Sequence, residues 1–264
     1  MQHKYKASLI IAVYKRVDFL ELIFRSIEIQ TFKNFEVIVA EDDNSIEVAE
    51  FIKRWKDKCS FDIKHISQED DGFRKNKLLN KALAVSEGEH TVFIDGDCIL
   101  HKDFMKDHIT LARPNTCLFG RRVMLDEATA NQIIETKDLS LLSFSKLLFT
   151  KSKHLECAIR LPFLISRRKS GMLGCNFSVL KETLIAINGF DEDFTRPLYG
   201  EDTDVARRLS LIGVNLKCSK FKTIQYHLHH AMKDRDNDWI VSGELYKKKV
   251  TEGKSFCENG YIKK

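Results

Sequence analysis

The chain is short of the residues that interrupt or staple a fold. It has 3 prolines in 264 residues and no proline- or glycine-rich tract that would mark a linker. Its 7 cysteines, at 59, 98, 117, 157, 175, 218 and 257, are odd in number, scattered and without a C-x-x-C pair. That pattern argues against a disulfide framework and a cysteine zinc cluster, and points to a reducing, cytoplasmic setting. No run approaches the roughly 18 to 20 uninterrupted apolar residues of a membrane span. The opening MQHKYKASLIIAVYKR is not expected to act as a signal peptide, because its short apolar run ends in Tyr14, Lys15 and Arg16 rather than in small residues.

What is present is 43% hydrophobic and 31% charged, a balance that suits one large globular domain with a full core. The net charge of +5 says only that an anionic partner is tolerated, whether a nucleotide, a phospholipid surface or a nucleic acid. There is no internal repeat.

Strand and helix signals alternate through the first hundred residues. The runs Ser8 to Val13 (SLIIAV) and Phe35 to Ala40 (FEVIVA) are nearly continuous apolar segments, as in parallel strands covered on both faces. Between them, Leu20, Ile23, Phe24 and Ile27 follow helical spacing, with Asp18 placed to cap. Ile46 to Trp55 reads as a helix, and Phe61 to Ile66 as a third strand. Leu78, Leu79, Ala82 and Leu83 mark a helix closed by Gly88, before a strand at Thr91 to Ile94. This alternation predicts an open α/β sheet, in which ligands sit outside the carboxyl ends of the strands. Three polar clusters fall at those ends: Tyr14 to Arg16, Glu41 to Asp43, and Asp95 with Asp97. The second half is less regular, with a glycine turn at Gly171 to Asn176, helices at Lys181 to Asn188 and Asp204 to Ile212, and a strand at Thr223 to His227.

Asp95 and Asp97 share a face as long as their backbone stays extended. Hard oxygen ligands so placed suit Mg²⁺ or Mn²⁺; a solvated loop with helix-capping aspartates is the plainer alternative for a lone D-x-D.

The companion segments add specificity. SLIIAVYKR, EVIVAEDDN, GFRKNKLLNKAL, VFIDGDC, GCNFSVLKETLIAINGFDEDF, YGEDTDVARRL and YHLHH run in order from Ser8 to about His230. Together they resemble the GT-A nucleotide-sugar glycosyltransferases of family 2, with a galactosyltransferase-type C-terminal region like that of bacterial chondroitin polymerase and the β-1,4-galactosyltransferases. The resemblance implies a GT-A fold, Rossmann-like, in a single domain over 1–264. About 1–100 would bind the nucleotide, about 101–240 the acceptor, and 241–264 would form a C-terminal tail.

It also implies roles. Asp97 would bind the metal directly, while Asp95, with Gly96 between them, would face the ribose or the metal's water shell. A neutral imidazole would complete the site, His227 by family position, with His229 and His230 as alternatives. Nitrogen and oxygen ligation together tilt the metal toward Mn²⁺ over Mg²⁺. Asp42 would accept from the uracil imide, with Val13 and Tyr14 supplying backbone and a stacking surface beside Arg16; an Asx-turn is the structural alternative. Arg74, Lys77 and Asn80 stand at or in a helix start. Cations there oppose the dipole, so donor phosphate would give them a purpose; solvent exposure is the alternative. Gly174 and Asn176 match the turn beside the donor sugar, Cys175 is expected to be packing, and donor selectivity is expected around Gly174 and Tyr199. Asp202 would be the general base and Glu201 would hold an acceptor hydroxyl, although acids in a first helical turn are also favourable on dipole grounds alone. Gly189 is expected at a helix C′ position, and Lys247 to Lys249 on the solvated surface.

The stretch 139–169 alternates basic residues with leucines and phenylalanines. It would either touch the inner membrane surface or form a flap over the acceptor cleft. The implied activity is metal-dependent, inverting transfer of a hexose or hexosamine from a UDP-sugar to a glycan or lipid-linked glycan acceptor, with no nucleic acid involved. Two rivals are a nucleotide-sugar sensor without chemistry and a sugar-phosphate nucleotidyltransferase. The latter needs a glycine-rich loop after the first strand, which VYKRVD lacks.

Overall fold

A strand such as SLIIAV, apolar on both faces of its pleat, needs cover on both sides. In the computed structural model of the chain it has that cover. The structure describes residues 3–161, 166, 168, 170–197, 200–231 and 236–263. The first part runs β1 (Tyr5–Val13), α1 (Val17–Glu28), β2 (Phe35–Glu41), α2 (Ile46–Lys56), β3 (Ile63–Ser67), α3 (Lys75–Val85) and β4 (Gly88–Asp95). Then follow β5 (Cys98–Leu100), α4 (Phe104–Leu111), β6 (Thr116–Phe119), β7 (Val123–Met124), α5 (Glu127–Thr136) and α6 (Phe144–Leu147). The last elements are β8 (Phe177–Leu180), α7 (Lys181–Ala186), α8 (Glu201–Leu211), β9 (Asn215–Cys218), β10 (Gln225–His227) and α9 (Asp236–Glu252).

The main sheet has the order β3-β2-β1-β4-β8-β6-β9. β1 to β4 are mutually parallel, β8 is antiparallel to both its neighbours, and β6 and β9 are parallel. Ile10 and Ala12 join Ile38 and Ala40 beneath the apolar face of α3. Leu9, Ile11 and Val13 join Val37 and Val39 against α1 and α2. The chain steps outward from β1 to β3 and returns to β4 on the other side of β1. The crevice at the carboxyl ends of β1 and β4 is therefore the topological switch point. A second sheet, β5-β10-β7, sits beside it over a third cluster that includes Phe19, Leu22, Leu142, Leu147 and Tyr226.

Several expectations need correction. Asp18 does not cap α1; Arg16 occupies that position at φ 49°, and the Asp18 carboxylate receives its guanidinium at 2.9 and 2.7 Å. Gly88 does not end α3 but opens β4, where a Cβ would stand 2.3 Å from the Ala7 carbonyl carbon. Gly189 lies one position beyond C′. Asn188 takes the left-handed C′ conformation at φ 65°, donating to Ile185, while the Gly189 N–H reaches Leu184 at 2.8 Å in a Schellman arrangement. Two 3₁₀ turns, Leu139–Leu142 and Leu155–Ala158, flank the single turn of α6. The expected tail is docked: the Asn188 amide donates to the carbonyls of Cys257 and Ile262. Lys249, 12% exposed, is not solvated surface but bridges Asp191 and Asp193 at 2.7 and 2.6 Å.

Candidate active site

Asp95 ends β4 opposite Ala12. The chain then turns at Gly96, whose N–H donates to the Ala12 carbonyl at 2.7 Å. A Cβ there would come within 2.9 Å of that oxygen, so the approach requires glycine. The turn separates the two carboxylates, which do not share a face. Asp95 takes the Lys75 ammonium at 2.8 Å. Asp97 points to the small sheet.

There, β5 pairs antiparallel with β10 so that Cys98 stands opposite His227. The Leu228 N–H donates to the Asp97 carbonyl at 2.8 Å, which locks the two segments together. His227 Nε2 then lies 3.2 Å from Asp97 Oδ2, and His230 Nε2 lies 3.3 Å from the same oxygen. The ligand atoms of all three residues fall within 4.8 Å of one another. Neighbouring ligands of an octahedral ion with bonds of about 2.1 Å stand roughly 3.0 Å apart, so the set fits a small divalent cation. His229 is exposed and outside the group, because β10 stops at His227 and the alternation ends with it. Asp95 is outside the group as well. Burial alone would push the Asp97 carboxyl up, but hydrogen bonds from His227 and His230 override it and hold Asp97 well below the usual carboxylate range. The Asp97 carboxylate in turn raises His230.

The acidic turn of α8 approaches from the other side. Lys75 Nζ, 2.8 Å from Asp95, is also 2.8 Å from Glu201 Oε1. One largely enclosed ammonium, its side chain 15% exposed, thus joins the D-x-D to the E-D pair. Burial works against the Lys75 charge, and the two carboxylates more than offset it. Burial raises Glu201, and Lys75 pulls it part of the way back. Glu201 Oε2 is buried without a hydrogen-bond partner, an acceptor left open beside Lys75 and Asp202. Asp202 Oδ2 receives the Gly174 N–H at 2.9 Å, so the Gly174 turn holds this carboxylate in place.

The remaining expected residues divide in two. Val13, Tyr14 and Arg16 gather at the rim. The Val13 carbonyl takes the Asp42 N–H, the exposed Tyr14 hydroxyl bonds Asp70, and Arg16 is close enough to Asp97 for its cation to be favoured by it, after Asp18. Asp42 is buried at the same rim, accepting from Gln68 Nε2 at 2.6 Å and Arg74 N–H at 3.0 Å. Burial raises its pKa. Arg74 packs beside it, and Lys77 is exposed. Asn80 and Asn176, by contrast, are committed inside the protein. Asn80 pairs with both the N–H and the carbonyl of Phe190, and Asn176 donates to Arg121 and Thr223 while accepting from His108. Tyr199 lies outside the described residues.

Two residues escaped the sequence reading. Lys75 stands three, four and seven residues before Leu78, Leu79 and Ala82, on the buried stripe of α3 rather than its wet face; that phase was the signal for it. Arg122 precedes β7 and reaches Cys175 Sγ at 3.4 Å. Burial opposes its charge, and the carboxylates of Asp97 and Asp95 favour it. Nothing in its local sequence marks it.

The fold is that of known glycosyltransferases. The mannosyltransferase PcManGT from Pyrobaculum calidifontis, solved with GDP-Man and Mn²⁺, superposes with a TM-score of 0.61 at 17% identity, over 96% of this chain and 66% of that one. Among curated relatives, the cholesterol galactosyltransferase of Borreliella burgdorferi is 35% identical over 98 residues, 36% of this chain and 26% of that protein. The GalNAc(5)-diNAcBac-PP-undecaprenol beta-1,3-glucosyltransferase of Campylobacter jejuni is 24% identical over 228 residues, 86% of this chain and 63% of that protein. This chain therefore spans less than two thirds of either relative. Fold and rim together define a GT-A domain. Residues 8–181 match glycosyl transferase family 2, and residues 153–231 match a model described as the N-terminal domain of galactosyltransferase. The chain belongs to glycosyl transferase family 2.

Proposed function

We propose that the chain is a metal-dependent, inverting glycosyltransferase. It moves a hexose or hexosamine from a UDP-sugar to a hydroxyl of a surface glycan, such as lipopolysaccharide, capsule or a related polysaccharide, or of its lipid-linked precursor, on the cytoplasmic side. The observation that carries this reading is the convergence of Asp97, His227 and His230 at the switch point, with one lysine linking that rim to Glu201 beside Asp202.

Asp97 and the two imidazoles would hold Mn²⁺ or Mg²⁺, which supplies charge neutralisation for the departing diphosphate. Arg122 and Arg16 add fixed positive charge on the same side. Asp42 offers its remaining lone pairs to the base imide, and Tyr14 offers its ring as a stacking surface. The Asp202 carboxylate accepts the proton of the acceptor hydroxyl as that oxygen bonds to the anomeric carbon and the bond to the diphosphate oxygen breaks. Approach opposite the leaving group inverts the centre. Glu201 Oε2 takes a sugar hydroxyl.

A UDP-release assay over a panel of nucleotide sugars, with and without Mn²⁺, tests the reading. Turnover should need the metal and should fall roughly a hundredfold to ten-thousandfold in Asp202→Asn. Full turnover in that variant would remove Asp202 as the base, and binding of UDP-sugars without any turnover would favour the sensor.

A further inference from the structure

The 143–154 segment packs against the small sheet, where Lys153 bridges Met124 on the edge strand β7. Leu147 of α6 is buried in the cluster under β5, β7 and β10, together with Leu142 and Cys157. Its neighbours point outward: Phe149 is 92% exposed, Leu148 54% and Phe144 38%. Phe144 and Leu148 are four residues apart in one helical turn, with the Leu148 N–H bonded to the Phe144 carbonyl, so they share a face. Lys146, Lys151 and Lys153 are exposed around them, and 139–155 contains no acidic residue. The nearest acid in the following turn, Glu156, is engaged by Lys220 at 3.2 Å.

Lys146 bonds the Ser140 hydroxyl at 2.8 Å and is near the Asp138 carboxylate, but three exposed lysines against that one acid, interleaved with large apolar side chains held out into water, still match the layered chemistry of an anionic bilayer, phosphates outside and acyl chains within. A second copy of the chain fits less well, since a two-fold contact through this patch would bring like charges together. Another exposed apolar group, Trp239, Ile240 and Val241, lacks the charge; it follows Asp238, and α9 has no basic residue before Lys247.

We propose that this turn docks the protein on an anionic phospholipid surface. Phe149 and Leu148 enter the acyl boundary, and Lys146, Lys151 and Lys153 meet the headgroup phosphates. The inference goes beyond the transferase reading and stands or falls without it, because its test needs no turnover.

Co-sedimentation with phosphatidylglycerol–phosphatidylcholine vesicles is the experiment. Binding should be strong at low salt, weak at high salt and weak to phosphatidylcholine alone. Changing Lys146, Lys151 and Lys153 to glutamine should cost about fivefold per lysine. Leu148→Ser with Phe149→Ser should abolish binding while the melting temperature stays that of the parent. Phe149→Trp, which keeps the apolar bulk, should give a blue-shifted emission on adding anionic vesicles. The proposal is overturned by absence of binding to anionic vesicles, by binding that survives the serine and glutamine substitutions, by an emission from the Phe149→Trp variant that ignores lipid, or by concentration-dependent self-association that Phe149→Ser removes.

Discussion

Replacing Lys75 by methionine keeps the length of the side chain and deletes its charge. Asp95 and Glu201, each 2.8 Å from the ammonium, would be left as neighbouring anions, with side chains 27% and 17% exposed. Breaking a buried ion pair costs about 3–5 kcal/mol, and the residual water contact places this one near 3 kcal/mol. For a chain of this size that is a fall in melting temperature of roughly 6–12 °C. The loss has a pH signature. Burial already raises Glu201, and without Lys75 its folded-state pKa rises further above the unfolded value. A raised carboxyl contributes stability at low pH that disappears as pH climbs through the folded pKa. The defect should therefore be larger at pH 8 than at pH 5. Thermal melts of the parent, Lys75→Met, Glu201→Gln and the double variant measure it, and the second substitution should recover at least about 1 kcal/mol of the first. A Lys75→Met protein melting within about 1 °C of the parent, or a strictly additive double variant, would refute the bridge.

His108, buried between Asn176 and Ser178, has its pKa lowered by burial to about 3 from 6.5. An imidazole depressed on folding stabilises the protein above its unfolded pKa and destabilises it progressively as pH falls below 6.5. Going from pH 7 to pH 5 should cost about 2 kcal/mol, an increment that urea melts should find missing in His108→Gln. At the metal site, His230→Ala should weaken Mn²⁺ binding by at least about tenfold, since loss of even an outer partner costs that much. His229→Ala should leave calorimetric titrations unchanged.

The parallel half of the fold was readable because β1 and β2 are buried on both faces, which leaves apolar runs that need no tertiary information to recognise. Asp97 with a late imidazole was likewise legible through the family segments, and the register of β5 on β10 is what brings them together. Where the reading missed, long-range contacts decided. His229 shares a strand parity with His227 on paper, but β10 ends before that parity can act. Asn80 and Asn176 look like ligands by position, yet their amides satisfy buried backbone groups. Lys75 was hidden between Arg74 and Lys77 because a cation on an apolar stripe makes sense only once Asp95 and Glu201, from distant segments, close over it. The 139–158 region breaks into single turns, since its buried apolar residues, Leu142, Leu147, Cys157 and Ala158, follow no helical spacing.

The most direct test of the account is Mn²⁺ binding followed by electron paramagnetic resonance, in which the free-ion signal disappears as the ion is bound. With UDP present, the parent chain should remove Mn²⁺ from solution, and both Asp97→Ala and His227→Ala should fail to do so while melting as folded proteins. Parent-like Mn²⁺ uptake by Asp97→Ala would contradict the assignment of the metal to this triad and, with it, the proposed chemistry.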